Sequence, residues 1–373
     1  MADTHVAHLA LAGHPARGGT LFPYTPSEHP CGVEIFTRTL TAALRANGGA
    51  YELLPVSGRL RELPSLAWRI AHANRIVFSF PLVAWKRMLA LPLVLLLIAV
   101  ASRCRVTVLL HEWTALHWLR RAVLAPFVLL SGRIVLLSPY IRDQIANDPW
   151  LPGAAAKCRL IPHPPTIRRP DRRTVSERVQ RIERAAESCD MVIGSFGSIY
   201  KGKQSDALLD IAAHLRTRGI RALVVLAGSF TSSLDGYENE FRACVAQLAL
   251  DEQVIVTGYI ETEEELFALF QRIGVFLFLF PEGLTARRSS VIACLQSGRP
   301  VVVSAPSSPD EFRHHRQMTA LIEAGAISFV GRSATVTEIA DALLSAAGRM
   351  TTVPPIDADA WWSATTAAAR TAL

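Results

Sequence analysis

Four clusters of polar residues stand where short apolar runs end, and each carries groups able to handle phosphate or sugar. The fullest is Phe280-Pro-Glu-Gly-Leu-Thr-Ala-Arg-Arg-Ser-Ser, which runs on through Gly298 to Arg-Pro-Val-Val-Val303. Its polar part holds Glu282, Gly283, Thr285, Arg287, Arg288, Ser289 and Ser290. A helix of about three turns is predicted from there to Gly298. Arginine offers paired donors in one plane, so Arg287 and Arg288 beside two hydroxyls suit a diphosphate. Cations at a helix N-terminus oppose its dipole, a conflict that a bound anion removes. The plainer alternative is a solvated arginine pair on a surface turn.

The second cluster is Gly194-Ser-Phe-Gly-Ser-Ile-Tyr-Lys-Gly-Lys203. Lys201 or Lys203 can reach phosphate oxygens, and Gly197 and Gly202 allow close backbone approach; a common glycine-lysine turn reads equally well. The third, Val108-Leu-Leu-His-Glu-Trp113, offers His111 to orient a hydroxyl or polarise a reacting group, with Glu112 to pair with it or with an arginine. A packed or capping histidine is the commoner outcome. The fourth, His29-Pro-Cys-Gly-Val-Glu34, opens a helix in which Gly32 leaves N–H groups open to phosphate. The stretch from Gly13 to Pro30 before it reads as a long loop.

These clusters need strands to end beneath them and helices to begin after them. Apolar runs predict strands at Val6–Ala12, Ile76–Phe80, Val106–Leu110, Ile134–Leu137 and Lys157–Ile161. Helix-period segments at Val33–Ala46, Leu89–Ser102, Ala115–Leu129 and Pro139–Asn147 alternate with them. Pro162-His-Pro-Pro165 and the charged stretch Arg168–Glu187 read as a linker. The alternation restarts with strands at Met191–Phe196, Ala222–Ala227, Val254–Thr257, Val275–Phe280, Val301–Ser304 and Ile327–Val330. Helices begin near Ser205, Glu238, Glu263 and Arg288, and one spans Thr335–Ala347. The pattern is α/β: two doubly wound parallel sheets, in domains at 1–170 and 188–350, followed by a terminal segment at 355–373. In such sheets ligands lie beyond the carboxyl ends of the strands, at helix N-termini.

Composition narrows the partners. Half of the 373 residues are hydrophobic, enough for two cores and against disorder. Residues 1–170 hold 19 Lys or Arg against 8 Asp or Glu, while the remainder holds 20 against 24. One basic half suggests an anionic partner: lipid, phosphorylated substrate or nucleic acid. Nucleic acid is disfavoured because the basic residues are spread among hydrophobic helices without a stacking platform. Six scattered cysteines read as reduced thiols with no zinc site. The most apolar stretch, Met88–Ala101, is short for a span of about 20 residues. With no secretory signal, the expected compartment is the cytoplasm.

In their order along the chain these clusters resemble the GT-B fold retaining glycosyltransferases, and within them glycosyltransferase family 4. Cys31-Gly-Val-Glu-Ile-Phe36 with Leu40 and Leu44 is similar to the family's opening GG-x-E-x-F motif, with Cys31 in place of the first glycine. Leu-His-Glu-Trp113, Ser-Pro-Tyr140, Ile-Pro-His-Pro164, Phe-Gly-Ser-Ile-Tyr-Lys-Gly-Lys203, Thr-Gly-Tyr-Ile260 and Gly-Arg-Pro-Val-Val302 follow in family order. The resemblance implies a GT-B fold and transfer of a hexose, with retention, from a UDP- or GDP-sugar, without metal or other cofactor. It assigns Lys201, Arg287 and Arg288 to the donor diphosphate, Glu282 to the donor sugar, Gly258 and Tyr259 to the base, and His111 to the reacting sugar. Lys203, Gly32, Ser198, Gly283 and Ser289 complete the expected donor-binding set. Asp357–Leu373, with Trp361 and Trp362, looks like the family's terminal helix, which crosses back to the first domain. Two departures stand out. The family carries two Glu residues eight apart, yet Ser290 lies eight after Glu282, and Ala293 occupies the usual second position. Ser198 stands where an Arg is common.

Ala115–Arg133 sets Arg120, Arg121 and Arg133 beside Leu116, Trp118, Leu119 and Phe127, and Trp85-Lys-Arg87 precedes the apolar run. Both suit an anionic membrane face, with a lipid-linked or glycan acceptor and a peripheral place on the inner face of the cell membrane; core helices with solvated ends suit them as well. The competing functions are a non-catalytic GT-B relative serving as a scaffold or partner subunit, and a sugar-nucleotide epimerase of the same fold.

Overall fold

The computed structural model describes residues 18–27, 31–82, 84–85, 88, 90–172, 174–231, 236–348 and 353–373. By compactness the chain divides into two units. The first comprises the chain up to Val135 with Asp148–Cys158 and Leu373; the second comprises Leu136–Asn147 and Arg159–Ala372.

The N-terminal sheet has the order β2-β1-β3-β4-β5-β6, built from β1 (Thr20–Tyr24), β2 (Tyr51–Pro55), β3 (Arg75–Phe80), β4 (Arg105–Leu110), β5 (Arg133–Leu136) and β6 (Cys158–Leu160). Strand β1 pairs in parallel with β2 and β3, and β3 with β4. The strand expected at Val6–Ala12 lies outside the described residues. The stretch expected to be a loop up to Pro30 contains β1 instead. Thr20-Leu-Phe-Pro-Tyr24 has no alternation to mark it, because Leu21 and Phe22 are both fully buried. A strand covered on both faces shows no period of two.

Helices α1 (Gly32–Ala46), α2 (Leu63–Ala71), α3 (Ala90–Ala101), α4 (Trp118–Leu130) and α5 (Pro139–Ala146) follow the strands. Helix α1 buries Phe36, Leu40 and Leu44, one side chain per turn, so a single stripe seats it on the sheet.

The second sheet has the order β12-β11-β10-β7-β8-β9, with β7 (Met191–Phe196), β8 (Ala222–Ala227), β9 (Val254–Val256), β10 (Val275–Phe278), β11 (Val301–Ser304) and β12 (Ile327–Val330). All its pairings are parallel. Strand β8, Ala-Leu-Val-Val-Leu-Ala227, is buried throughout, as a central strand covered by helices on both faces must be. Chain order runs one way from β7 to β9, then jumps back beside β7 and runs the other way from β10 to β12. The reversal lies between β7 and β10.

Around this sheet pack α6 (Glu177–Ala186), α7 (Ala207–Thr217), α8 (Tyr237–Gln247), α9 (Glu263–Phe270), α10 (Ser289–Leu295), α11 (Arg316–Glu323), α12 (Val336–Gly348) and α13 (Ala358–Ala372). Part of the expected linker is helix α6. Its charge hides a narrow stripe of Val179 and Ile182, both buried, and Ser176 caps it by accepting from the Val179 N–H. Helix α10 is shorter than expected, seven residues, because the chain leaves the helix at Gln296 and Gly298 adopts a left-handed turn with φ of 78°. Within the second unit, α13 is pinned by Trp362 Nε1–H donating to the Pro165 carbonyl and by Thr365 Oγ1 donating to that of Pro162.

Candidate active site

The chain order reverses between β7 and β10, and the carboxyl ends of two such strands are the place where ligands lie in open parallel sheets. The loop after β7 carries Gly197 to Lys203, and the loop after β10 carries Glu282 to Arg288. Glycines make this edge narrow. A Cβ on Gly228, just after β8, would sit 2.1 Å from the Gly197 carbonyl oxygen, so only glycine lets the two strand ends approach this closely. Gly197 itself has φ of 107°, a conformation that only glycine adopts without strain.

Lys203 turns inward. It is 9% exposed, donates from Nζ to the Phe196 carbonyl at 2.5 Å, and lies 5.7 Å from the centre of the Phe278 ring. Burial pushes its ammonium down to about 8; the Cys294 thiol opposes that shift and the Arg288 cation adds to it. Lys201 faces the other way. Its side chain is 71% exposed and pairs with Glu240 at 3.2 Å. The two lysines sit two positions apart on one short 3₁₀ turn, Lys201–Lys203, and at about 120° per residue their side chains leave it in different directions.

Glu282, Arg287 and Arg288 form a compact ion cluster. Arg288 hydrogen-bonds the Glu282 carboxylate, and Arg287 approaches the same oxygen at 3.6 Å. The Arg288 guanidinium also stacks over Phe280, 4.2 Å from its centre. All three side chains are less than one-fifth exposed. One carboxylate therefore bridges the two guanidinium groups, and the Lys203 ammonium lies close enough to feel the Arg288 charge. A single Coulomb pair at such distances is worth about 4 kcal/mol at an effective dielectric near 20.

The loop that presents these arginines is anchored from below by Glu311, which sequence reasoning missed. Its buried carboxylate accepts from the Ala286 N–H at 2.8 Å, from Ser138 Oγ at 2.5 Å and from the Tyr140 N–H at 3.2 Å. Burial raises its pKa even though all three donors lower it. Ala286 immediately precedes Arg287, so the carboxylate fixes where the arginine pair begins. The signal was Ser-Pro-Tyr140: a strand-end serine with no role until its acid partner is known.

The other expected residues divide by environment. Gly283 (φ of 80°) serves the backbone, since a Cβ there would lie 2.1 Å from the Ala305 oxygen. Ser289 opens α10 and Ser198 is exposed. Gly258 follows β9 with φ of 74° and nothing within 4 Å of the place a Cβ would take, and Tyr259 is 70% exposed. In the first unit, His111 follows β4 at the carboxyl edge of its sheet. Its N–H donates to the Phe80 carbonyl at 2.8 Å, and its ring meets Phe36 of α1 edge-on at 5.4 Å. Gly32, one turn before Phe36, begins α1 with nothing within 4 Å of the place a Cβ would take. Buried Glu34 accepts from Ser27 Oγ at 2.6 Å beside it.

Of the expected membrane-facing segments, Trp85 is buried, and its Nε1–H donates to Thr25 Oγ1 at 2.8 Å; Lys86 and Arg87 lie outside the described residues. Trp118 and Leu119 at the start of α4 are half exposed. No helix among the described residues is long and apolar enough to cross a membrane. Among the described residues, no three His, Cys, Asp or Glu side chains gather in a way that could hold a metal.

Comparison with curated proteins by sequence returns no match. By structure, the chain is similar to Anabaena HepE solved with UDP and glucose, at 13% identity, with 95% of each chain covered and a TM-score of 0.60. It is similar to the sucrose-phosphate synthase of Thermosynechococcus elongatus, at 14% identity over 95% of this chain and 94% of that one, with a TM-score of 0.58. It is also similar to WaaG, a glycosyltransferase involved in lipopolysaccharide biosynthesis, at 13% identity over 94% and 95%, with a TM-score of 0.55. These likenesses identify the fold as GT-B, as the order of motifs implied. Residues 190–347, which contain every element from β7 to β12, match the model of the glycosyl transferases group 1 family. The chain thus has the GT-B fold, and within it residues 190–347 are similar to the glycosyl transferases group 1 family.

Proposed function

We propose that this chain is a retaining glycosyltransferase that takes a hexose from a UDP- or GDP-sugar and passes it to a lipid-linked or glycan acceptor. The observation that carries the reading is the gathering of Lys203, Arg287 and Arg288 at the β7–β10 reversal, inside the stretch that matches the group 1 family. Transfer breaks the bond between the anomeric carbon and the diphosphate oxygen, and the acceptor's hydroxyl oxygen forms the new one. Negative charge grows on the departing diphosphate, and pre-placed cations in a partly dry site stabilise it most at that moment. HepE's complexes with UDP and with UDP-glucose support this donor class.

In this reading Lys203 takes the role that the motif resemblance gave to Lys201, and Glu282 holds the arginines in place until donor arrives. His111, at the carboxyl edge of the first sheet, is assigned to the transferred sugar. Calorimetric titration with UDP, GDP and their sugars tests the proposal on the wild type and on Arg288→Ala and Lys203→Met. Binding of one nucleotide, weakened in both variants, supports it. A wild type that binds none of them overturns it and favours the scaffold reading, which the absence of a carboxylate at Ser290 and Ala293 would then explain.

A further inference from the structure

The first unit carries a second cationic site, at the opposite edge of its sheet. Three adjacent strands each open with an arginine: Arg75 on β3, Arg105 on β4 and Arg133 on β5. Arg75 and Arg105 are directly paired in the strand register. With Arg103 they line a cavity of about 480 Å³ at the amino ends of these strands. Leu373, the last residue, lines the same cavity. No carboxylate among the described residues forms an ion pair with Arg75, Arg103 or Arg105, and Arg75 is half-buried beside the Arg105 and Arg133 charges. Burial pushes the Arg75 guanidinium below its ordinary value, and the Arg133 and Arg105 charges push it further.

Arg103 adds a backbone observation. It sits at φ of 56°, in the left-handed turn that ends α3, where the Cys104 N–H reaches back to the Ala99 carbonyl at 2.9 Å. Glycine is the usual residue there, and a long side chain costs on the order of 1 kcal/mol. The strained position delivers a fourth guanidinium to the same cavity.

The rim is apolar. Val100 and Leu130 line the cavity. Val94, Leu97 and Val100 form an exposed stripe along α3 at a spacing of three residues, with Leu97 65% exposed; Leu129 and Leu130 are exposed at the end of α4. A cationic cavity rimmed by exposed aliphatic side chains matches a molecule with an anionic head and a hydrocarbon body. A free anion would need the cations alone.

We propose that this cavity binds the phosphate headgroup of an anionic phospholipid, with the α3 stripe and the end of α4 set in the adjoining acyl region. The inference goes beyond the proposed function and stands or falls apart from donor binding. The surface lies at the amino edge of the sheet, opposite the edge that carries His111, so lipid binding here leaves that edge open.

The test is co-sedimentation of the full chain with vesicles of phosphatidylcholine alone or mixed with phosphatidylglycerol, at low salt. Wild type should bind the mixed vesicles and bind neutral ones weakly. Each arginine near an anionic surface is worth roughly a fivefold change in partition, so Arg75→Gln with Arg105→Gln should lower binding roughly thirtyfold. Arg105→Gln alone, at an exposed position, should lower it roughly fivefold without disturbing the fold. Leu97→Ser with Val100→Ser should weaken binding roughly tenfold through lost apolar burial. Arg313→Gln with Arg332→Gln, which makes the same change of net charge in the second unit, should leave binding within about twofold. Equal losses from both arginine pairs would reduce the effect to net charge and overturn the proposal. Inorganic phosphate supplies the last arm. If it raises the Tm of the wild type but not of the Arg75/Arg105 variant, while both bind vesicles equally, the ligand is free phosphate and the lipid reading falls.

Discussion

The arginine clusters at the carboxyl edge of the second sheet and at the amino edge of the first are built on opposite plans. At the carboxyl edge of the second sheet, Arg287 and Arg288 close on Glu282, Arg288 stacks on Phe280, and Lys203 is tied to a backbone carbonyl. At the amino edge of the first sheet, Arg75, Arg103 and Arg105 line one cavity and form no ion pair with a carboxylate among the described residues. The first arrangement fixes cations in place before a ligand arrives, which is what stabilisation of a developing charge requires. The second leaves them on long side chains at a surface, which suits a diffuse anionic layer. A preorganised site is sensitive to the loss of one member, and a diffuse one should respond in proportion to the charge removed.

The largest expected effect breaks the preorganised cluster. Arg288→Ala should lower kcat/KM for transfer from the preferred nucleotide sugar by about 10²- to 10³-fold, the usual consequence of losing one fixed charge-stabilising donor. The loss should fall mainly on kcat, because the interaction strengthens as the diphosphate departs. Steady-state kinetics at saturating acceptor checks it. A change confined to KM would mean that the arginine binds donor and transition state alike.

Next comes the carboxylate that organises the pair. Glu282→Gln keeps the shape and removes the charge, leaving two largely buried cations beside each other. It should destabilise the fold by about 1–3 kcal/mol, read as a lower Tm. UDP should restore more of that loss than it adds to the wild type, since its phosphates then supply the missing negative charge. A variant as stable as the wild type would show that the arginines are held by packing on Phe280 and not by Glu282.

These contrasts explain what could be read from the sequence. The alternation of strands and helices in the second half was plain because Met191–Phe196, Ala222–Ala227 and Val301–Ser304 are buried runs cut by polar turns. The arginine pair was visible for the same reason: it interrupts an apolar context. Direction was not legible. Lys201 and Lys203 are two residues apart and chemically equal in a string of letters, and only the 3₁₀ turn that carries them separates the buried one from the exposed one. Glu311 was hidden because its partners Ser138 and Ala286 are 173 and 25 residues away. The amino-edge cluster was hidden too, since Arg75, Arg105 and Arg133 become neighbours only once β3, β4 and β5 are side by side.

A smaller effect sharpens the role of Lys203. Its ammonium titrates near 8 in the folded chain against an ordinary value of 10.5. Below about pH 8 both folded and unfolded forms are protonated. Between about 8 and 10.5 the unfolded chain holds a proton that the folded one has lost, so this group makes stability rise with pH across that window. Donor affinity should move the other way, because only the ammonium attracts phosphate. The Kd for UDP should increase above pH 8, by up to about tenfold per pH unit, and Lys203→Met should flatten that dependence. A rise that persists in the variant would place the titrating group elsewhere.

The smallest effect belongs to the other cluster and carries the opposite sign. Arg105→Gln removes one of several like charges at an exposed position and breaks no ion pair among the described residues. Stability should therefore hold or increase, by a few tenths of a kcal/mol, where losing a member of the carboxyl-edge cluster lowers it. Salt gives the same answer by another route. Screening relieves repulsion among Arg75, Arg105 and Arg133, so added sodium chloride should raise the Tm of the wild type more than that of Arg105→Gln. Thermal melts of both proteins at low and high salt decide it. If Arg105→Gln melts lower at every salt concentration, the amino-edge arginines hold the sheet together, and the difference in plan between the two clusters disappears.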